Sequence, residues 1–469
     1  MSDAQPLFAV LRQSADADCV AALERLVREA PDRLLARVNA LDLARRENLD
    51  EEKTVATLLH AARIGLFEMS WNVLCPSCSG VLDTNATLKS VRSEEYYCAF
   101  CAVSNEPTLD EMVEVSFTVS PRVRRLGAHN PDELPIWEYY RQVFWGTGVD
   151  LPGDSLEAAM QQVTLDAVEL PAGDKAILSL QLPAETIIVL EPVTHAAQFI
   201  DVKGEPTSNR QSLTLVYTNL HAPTGTTALR PGPVRLSLEN RAASRVLPAI
   251  WVANDAMHRA IGKRRPFLTA KRLLSNQTFR DIYRTDTLGI DQRLKITSLT
   301  FLFTDLKGST ELYERVGDLV AFDLVREHFR TLNDIVAAEG GAVVKTIGDA
   351  VMATFLTPDH ALAAALRMRE AMRKLNAAHG RDDLLLKIGI HEGPCLAVTL
   401  NERQDYFGQT VNIASRVQGL ALSPSILATD SVVSNPQSAS LLKEGGLTPA
   451  VHRHALRGIA SEMAVYEIP

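Results

Sequence analysis

Apolar and polar positions change period along this chain, and the changes divide it. Through residues 1–68 the apolar side chains recur at helical spacing. Leu34, Leu35, Val38, Leu41 and Leu43 follow Pro31-Asp32, and Val55, Leu58, Leu59, Ala62 and Ile64 run to a stop at Gly65. Two helices joined by Glu47-Asn48-Leu49-Asp50, with the apolar Phe67–Trp71 behind them, have the order of a helix-turn-helix with a wing strand. A small helical packing domain is favoured over a DNA reader. Base contacts need a basic second helix, and this one carries mostly Glu, Thr and Ala.

Between about 150 and 255 the pattern shortens to alternating runs: Ile177–Leu182, Thr186–Leu190, Gln198–Val202, Leu213–Tyr217, Val234–Leu238 and Leu247–Val252. Pro, Gly and Asn clusters separate them, which predicts a β-sandwich. From Gly262 to Leu288 a basic stretch interleaves Phe267, Leu273, Leu274, Phe279 and Ile282, predicting a packed connecting helix placed to transmit a signal.

Beyond it the two periods alternate. Leu299–Asp305 reads as a strand, and Leu319, Phe322, Val325, Phe329, Leu332 and Val336 mark a helix ended by Gly340-Gly341. A hairpin turning at Gly348-Asp349 comes next, then a helix opened by Thr357-Pro358-Asp359, then a strand over Leu384–Ile390. The order is the β-α-β-β-α-β ferredoxin-like unit. The expected fold class is therefore multidomain α+β. Its parts are a helical region (1–68, winged-helix-like in one reading), a zinc ribbon (69–126), a helical connector with a central β-sandwich (127–260), a connecting helix (261–295) and the C-terminal ferredoxin-like domain (296–469).

The length of 469 residues fits two to four domains, and a net charge of −9 argues against nucleic acid as a partner. No apolar run approaches the roughly 18 residues of a membrane span. The opening MSDAQPLF lacks the basic and apolar regions of a secretory signal, so a cytoplasmic location with reduced thiols is expected. Four of the six cysteines are paired as Cys75-Pro-Ser-Cys78 and Cys98-Ala-Phe-Cys101, with 19 residues between the pairs. That spacing fits one structural Zn²⁺ per chain, with no open coordination position. Cys19 and Cys395 lie outside the pattern as ordinary thiols. His195, His221 and His258 are scattered, and no catalytic grouping marks the sandwich, which leaves it as a contact or ligand-sensing module for an unidentified regulatory ligand or protein.

In the ferredoxin-like topology the first strand runs antiparallel beside the third, so Asp305 and Asp349 come to adjacent strand ends. Two carboxylates there, beside the turn Leu306-Lys307-Gly308-Ser309-Thr310 at a helix N-terminus, suit two Mg²⁺ or Mn²⁺ ions on a triphosphate. A second block, Asp405–Arg416, reads DYFGQTVNIASR, and Asn412 and Arg416 share a face if it opens a helix.

With FTDLKGST, VVKTIGDA, GIHEGP and DYFGQTVNIASR, residues 296–469 resemble the class III adenylate/guanylate cyclases. The resemblance implies that Asp305 and Asp349 carry the metals, Lys345 and Asp405 select the base, and Asn412 and Arg416 serve the transition state. Ser309 departs from the aromatic residue many relatives have, and Arg457 matches a family phosphate-binding lysine only loosely. His391 in GIHEGP reads as structural. A lysine and an aspartate complement adenine's N1 and exocyclic amine, whereas guanine reverses that edge, so ATP is favoured. The family arrangement further implies a homodimer with shared sites. Two alternatives stay open: a guanylate cyclase, and a nucleic-acid- or protein-binding regulator that uses the cyclase domain as a dimerisation platform.

Overall fold

The computed structural model describes residues 4–152, 155–219, 224–284, 288–382, 384–422, 424–459 and 462–469, without the side chains of residues 224, 309 and 310. The chain forms two compact units, one of residues 1–86, 90–107 and 111–268, the other of residues 87–89, 108–110 and 269–469.

The first unit opens on four α-helices, Ala4–Leu11, Ala17–Glu29, Ala40–Glu47 and Glu51–Arg63. Asp16, Asn39 and Asp50 cap the last three by accepting backbone N–H groups of the first turn. The helix expected from Pro31 does not form. Asp32–Leu34 is a single 3₁₀ turn, Arg37 is left-handed at φ 48°, and the Asn39 cap starts the helix only at Ala40. Phe67–Leu74 is the middle strand of an antiparallel three-stranded sheet, between Val81–Asn85 and Val113–Val119.

The sandwich region has two sheets. One orders Gln211–Tyr217, Gly232–Asn240 and Lys175–Leu182; the other orders Thr224–Leu229, Ala196–Val202, Thr186–Glu191, Ala249–Val252 and Thr164–Ala167. Ile187, Val189, Ile200, Leu215, Leu236, Leu238 and Ile250 form their common core. The six expected strands are there. Thr164–Ala167 and Thr224–Leu229 are additional, and the latter pairs parallel to Ala196–Val202.

The connecting helix expected over 261–295 is not continuous. Asp255–Ile261 ends before the basic stretch, and Pro266 within that stretch breaks the helical pattern. Ala270–Leu274 and Gln277–Ile282 are two short helices with separate caps, Thr269 and Asn276. A capping side chain that bonds its own first turn closes off a helix arriving from upstream.

In the second unit the elements are β1 Leu294–Leu306, α1 Ser309–Val316, α2 Asp318–Ala338, β2 Ala342–Ile347, β3 Ala350–Phe355, α3 Pro358–Ala378, β4 Leu386–Leu400, β5 Arg403–Phe407, α4 Gln409–Leu420, β6 Ile426–Thr429, α5 Asp430–Val433, α6 Pro436–Glu444, β7 Ala450–His454 and β8 Met463–Ile468. The sheet order is β2-β3-β1-β4-β6-β8-β7, with β5 paired to β4. Its first four strands have the split-βαβ order. Helices α2 and α3 seal one face through Leu324, Leu332, Val336, Leu362, Met368 and Met372 against Leu302, Val351, Phe355 and Ile390. Strand β4 runs on through GIHEGP instead of stopping at Ile390. Pro394 has no N–H to give β1, and a bulge there between Ile296 and Leu299 absorbs the mismatch. The N–H groups of Thr297 and Ser298, freed by the bulge, donate to the Asp110 carboxylate at 2.8 and 3.4 Å.

Candidate active site

Strand pairing brings the first two carboxylates together. β1 and β3 pair antiparallel with Thr304 opposite Val351, so Asp305 and Asp349 lie just beyond the last paired residues. The hairpin between β2 and β3 turns at Gly348, whose φ of 65° suits glycine. Burial, then the charge of Asp349, push the Asp305 pKa above the ordinary carboxylate value. Lys387, opposite Asp305 on β4, pulls the other way. One oxygen of Asp349, Oδ2, is buried with no hydrogen-bond partner. Two facing acids, one with an unsatisfied buried oxygen, fit a hard divalent cation, which answers both deficits with oxygen coordination.

The turn after β1 is less open than the sequence implies. Gly308 is left-handed at φ 67° and precedes α1. The N–H of Lys307 donates to the Leu385 carbonyl at 2.9 Å and is not free for an anion. The Glu311 carboxylate folds back over Gly308, 2.6 Å from where a Cβ would stand. Leu306 is buried, Lys307 is exposed, and the side chains of Ser309 and Thr310 lie outside the described residues.

Lys345 on β2 and Asp405 on β5 form an ion pair, Nζ to Oδ2 at 2.5 Å, with Asp405 only 10% exposed against 41% for Lys345. Asp405 is fixed through Oδ1, which accepts the Tyr406 N–H at 2.9 Å. Helix α4 carries Asn412, exposed, and Arg416, half-buried with its guanidinium beside Gly458. The helix lies hard on β4, where a Cβ on Gly389 would come 2.2 Å from the Gln418 nitrogen. Gln418 in turn bonds Asp305. The six residues thus fall into groups: the two acids, the Lys345–Asp405 pair, and the α4 face. Arg457, exposed, adjoins Gly458.

Sequence reasoning missed three groups here. Arg280 of Gln277–Ile282 donates through Nη2 to the carbonyls of Val344 and Gln404, at 3.2 and 3.0 Å, next to Lys345 and Asp405. Gln277 accepts the Val343 N–H at 2.8 Å. His328 on α2 is fully buried, with burial drawing its pKa down to about 4. No motif spacing flags such contacts, since they depend on which strand edge the preceding segment meets. His391 is mid-strand, its Nδ1 2.8 Å from Thr429 Oγ1. His195 and His258 join no cluster, and His221 lies outside the described residues.

In the first unit the cysteines converge. The sulfurs of Cys75, Cys78, Cys98 and Cys101 lie within 4.8 Å of one another, with Cys78 and Cys98 at 3.7 Å. A Zn–S bond of about 2.3 Å in a tetrahedron sets neighbouring sulfurs about 3.8 Å apart. Each knuckle is followed by a left-handed residue, Ser79 and Ala102, which turns the chain back around the cluster. Close contact among the four sulfurs pulls the Cys75 and Cys98 thiols down and pushes Cys78 and Cys101 up. The cluster fits zinc.

Residues 292–466 match the model of the adenylate and guanylate cyclase catalytic domain. Over 161 residues the chain is 34% identical to an adenylate cyclase of Anabaena cylindrica, covering 30% of this chain and 32% of that protein. Adenylate cyclase 1 of Rhizobium meliloti is 27% identical over 186 residues, 36% of this chain and 27% of that protein. Among solved structures, the adenylyl cyclase CyaB of P. aeruginosa aligns with 38% of this chain and 96% of that chain at 25% identity, TM-score 0.34. The chain spans about a third of the length of these curated relatives. The C-terminal part is a class III nucleotidyl cyclase catalytic domain. The whole chain belongs to the family described as a family of unknown function (DUF5939), whose model matches residues 1–281, ahead of that domain.

Proposed function

We propose that this protein is an adenylate cyclase, converting ATP to 3′,5′-cyclic AMP and pyrophosphate at sites shared by two copies of the chain. The observation that carries the choice of substrate is the Lys345–Asp405 pair. In the free chain each satisfies the other. An adenine entering between them takes a hydrogen bond from Lys345 at N1 and gives one from its amine to Asp405. Guanine would set an acceptor against Asp405 and a donor against Lys345.

Asp305 and Asp349 would hold two Mg²⁺ or Mn²⁺ ions, which when bound lower the pKa of the ribose 3′-hydroxyl and neutralise the departing pyrophosphate. The 3′-oxygen gives its proton to solvent water and forms a bond to the α-phosphorus as the bond from that phosphorus to the oxygen bridging to the β-phosphate breaks, releasing pyrophosphate. Arg416 answers the charge growing on the α-phosphoryl oxygens, and Asn412, on the same face of α4, orients the ribose. The free N–H groups beyond Lys307 receive phosphate once Glu311 swings off Gly308.

Two features support a shared site. Lys345 and Asp349 are four residues apart around one hairpin, too close to hold the base and the triphosphate of one nucleotide. Ile347 and Phe407, each two residues from a member of the base-selecting pair, are 54% and 65% exposed, and Leu319 and Phe322 on α2 are exposed too. Apolar side chains bordering a polar site are what a partner face requires. The N-terminal unit, with one zinc per chain, is read as regulatory. No helix of the described residues is long and apolar enough to cross a membrane, and we place the enzyme in the cytoplasm.

The deciding assay measures cyclic nucleotide formed from ATP and from GTP by the purified chain with Mg²⁺ or Mn²⁺. Cyclic AMP as the main product supports the reading. Cyclic GMP in excess overturns the base assignment, and no product from either nucleotide overturns the enzyme.

A further inference from the structure

The first unit holds a cleft that has no part in the cyclase reaction or the zinc cluster. Its cavity, about 320 Å³, is walled by Arg33, Arg37, Arg46, Arg141 and Arg265, and Asp42 is the one carboxylate among its described lining residues. Three separate stretches of a chain with net charge −9 supply these cations, so general composition does not account for them.

Asp42 is already heavily shared. Arg45, Arg46 and Arg265 approach it at 2.6, 3.1 and 3.4 Å. Arg37 hydrogen-bonds only neutral groups, the Val143 carbonyl at 2.6 Å and Thr84 Oγ1 at 3.0 Å, and feels the Glu114 charge without an ion pair to it among the described contacts. Burial lowers its pKa. Its backbone is left-handed at φ 48°, a conformation that is strained for a residue with a Cβ. A half-buried cation in a strained backbone conformation, with no carboxylate in ion-pair contact among the described residues, gains from an anion that completes it. Gln142 adds an acceptor, Oε1, that is buried without a partner and could take a hydroxyl from the organic part of a ligand.

We propose that this cleft is a binding site for a small phosphate-bearing anion. Guanidinium forks match phosphate oxygens two at a time, and several converging forks suit a multiply charged group better than a single carboxylate. The cavity volume is at the small end of ligand pockets.

The test is calorimetric titration of the full-length chain with pyrophosphate, orthophosphate and citrate in magnesium-free buffer. Pyrophosphate should bind at one per chain, more tightly than citrate. Asp305→Ala should leave that binding unchanged, which separates it from the catalytic centre. Arg37→Gln should weaken it by about tenfold or more, the loss of one charge-assisted bond or pair. Arg46→Gln, at an exposed position whose loss leaves the fold intact, should weaken it by a few-fold. Binding lost in Asp305→Ala and kept in both arginine variants would overturn the proposal. So would citrate matching pyrophosphate, or no binding of either phosphate at about 10 mM, beyond any specific affinity.

Discussion

Asp305 and Asp349 repel one another, and that sets what either can be replaced by. The raised Asp305 pKa means the folded chain holds its proton more firmly than the unfolded chain does, so the pair costs stability once pH exceeds the ordinary carboxylate range. Asp305→Asn and Asp349→Asn should each abolish turnover while leaving the thermal midpoint equal or higher. Near-normal turnover of either variant with Mg²⁺ or Mn²⁺ would remove the metal assignment. His391 works with the opposite sign. Burial holds its pKa down to about 4, below the unfolded value near 6.5, so the unfolded chain takes up the proton first. The stability conferred by the neutral ring is whole above about pH 6.5 and is lost as pH falls toward 4. At pH 5 the loss should be about 1–2 kcal/mol relative to pH 7. In His391→Asn, which keeps a partner for Thr429 and does not titrate, the denaturation midpoint of the cyclase unit should fall less between those pH values. An identical fall in both proteins would show that His391 does not titrate with folding.

At the scale of elements, the segment before the catalytic domain acts as a clamp. Arg280 ties β2 to β5 through two backbone carbonyls, one residue from Lys345 and one from Asp405, and its Nη1 is buried without a partner. Hydrogen bonds from a charged donor contribute about 1.5–3 kcal/mol. Arg280→Ala should therefore lower kcat/KM for ATP by about tenfold and narrow the ATP-over-GTP preference, with Arg280→Lys recovering part of both. Unchanged preference in the alanine variant would reduce Arg280 to packing. The cysteine knuckles give a second element-scale expectation: metal analysis should find one zinc per chain, and Cys98→Ser should lose it and lower the thermal midpoint of the N-terminal unit. A chain purified without zinc at full stability would refute this. Legibility followed the same scale. Alternation such as Lys175–Leu182, where exposed and partly buried residues alternate, is readable because period two has one cause. Thr224–Leu229, TGTTAL, has too few apolar residues to signal a strand and is held by its pairing to Ala196–Val202. Caps at Thr269 and Asn276 broke a helix whose apolar spacing looked continuous. The strand expected to end at Ile390 runs on past Pro394, because the bulge that accommodates the proline lies on the opposite strand. The two acids could be paired from topology alone, whereas the Lys345–Asp405 contact joins strands that are not neighbours in the sheet, and only family resemblance linked them.

For the whole molecule, the arrangement of the site residues in one chain is the argument for two. Asp305 and Asp349 gather at one hairpin end, while Lys345 and Asp405 pair with each other beside exposed Ile347 and Phe407. If a partner's base-selecting pair and α4 face complete the metal acids, a two-fold axis generates two equivalent sites. Asp305→Ala then spoils the metal half of each site, and Arg416→Ala spoils the other half. Each variant alone has no intact site and should be nearly inactive. Mixed and allowed to exchange, random association puts about half of the dimers in the mixed form, each with one intact and one doubly damaged site, so activity should rise toward about a quarter of wild type. Mass spectrometry of differently tagged chains would establish that exchange has occurred. With exchange demonstrated, a mixture as inactive as its components would mean that each site is built within one chain, and the apolar border of Lys345 and Asp405 would need another partner.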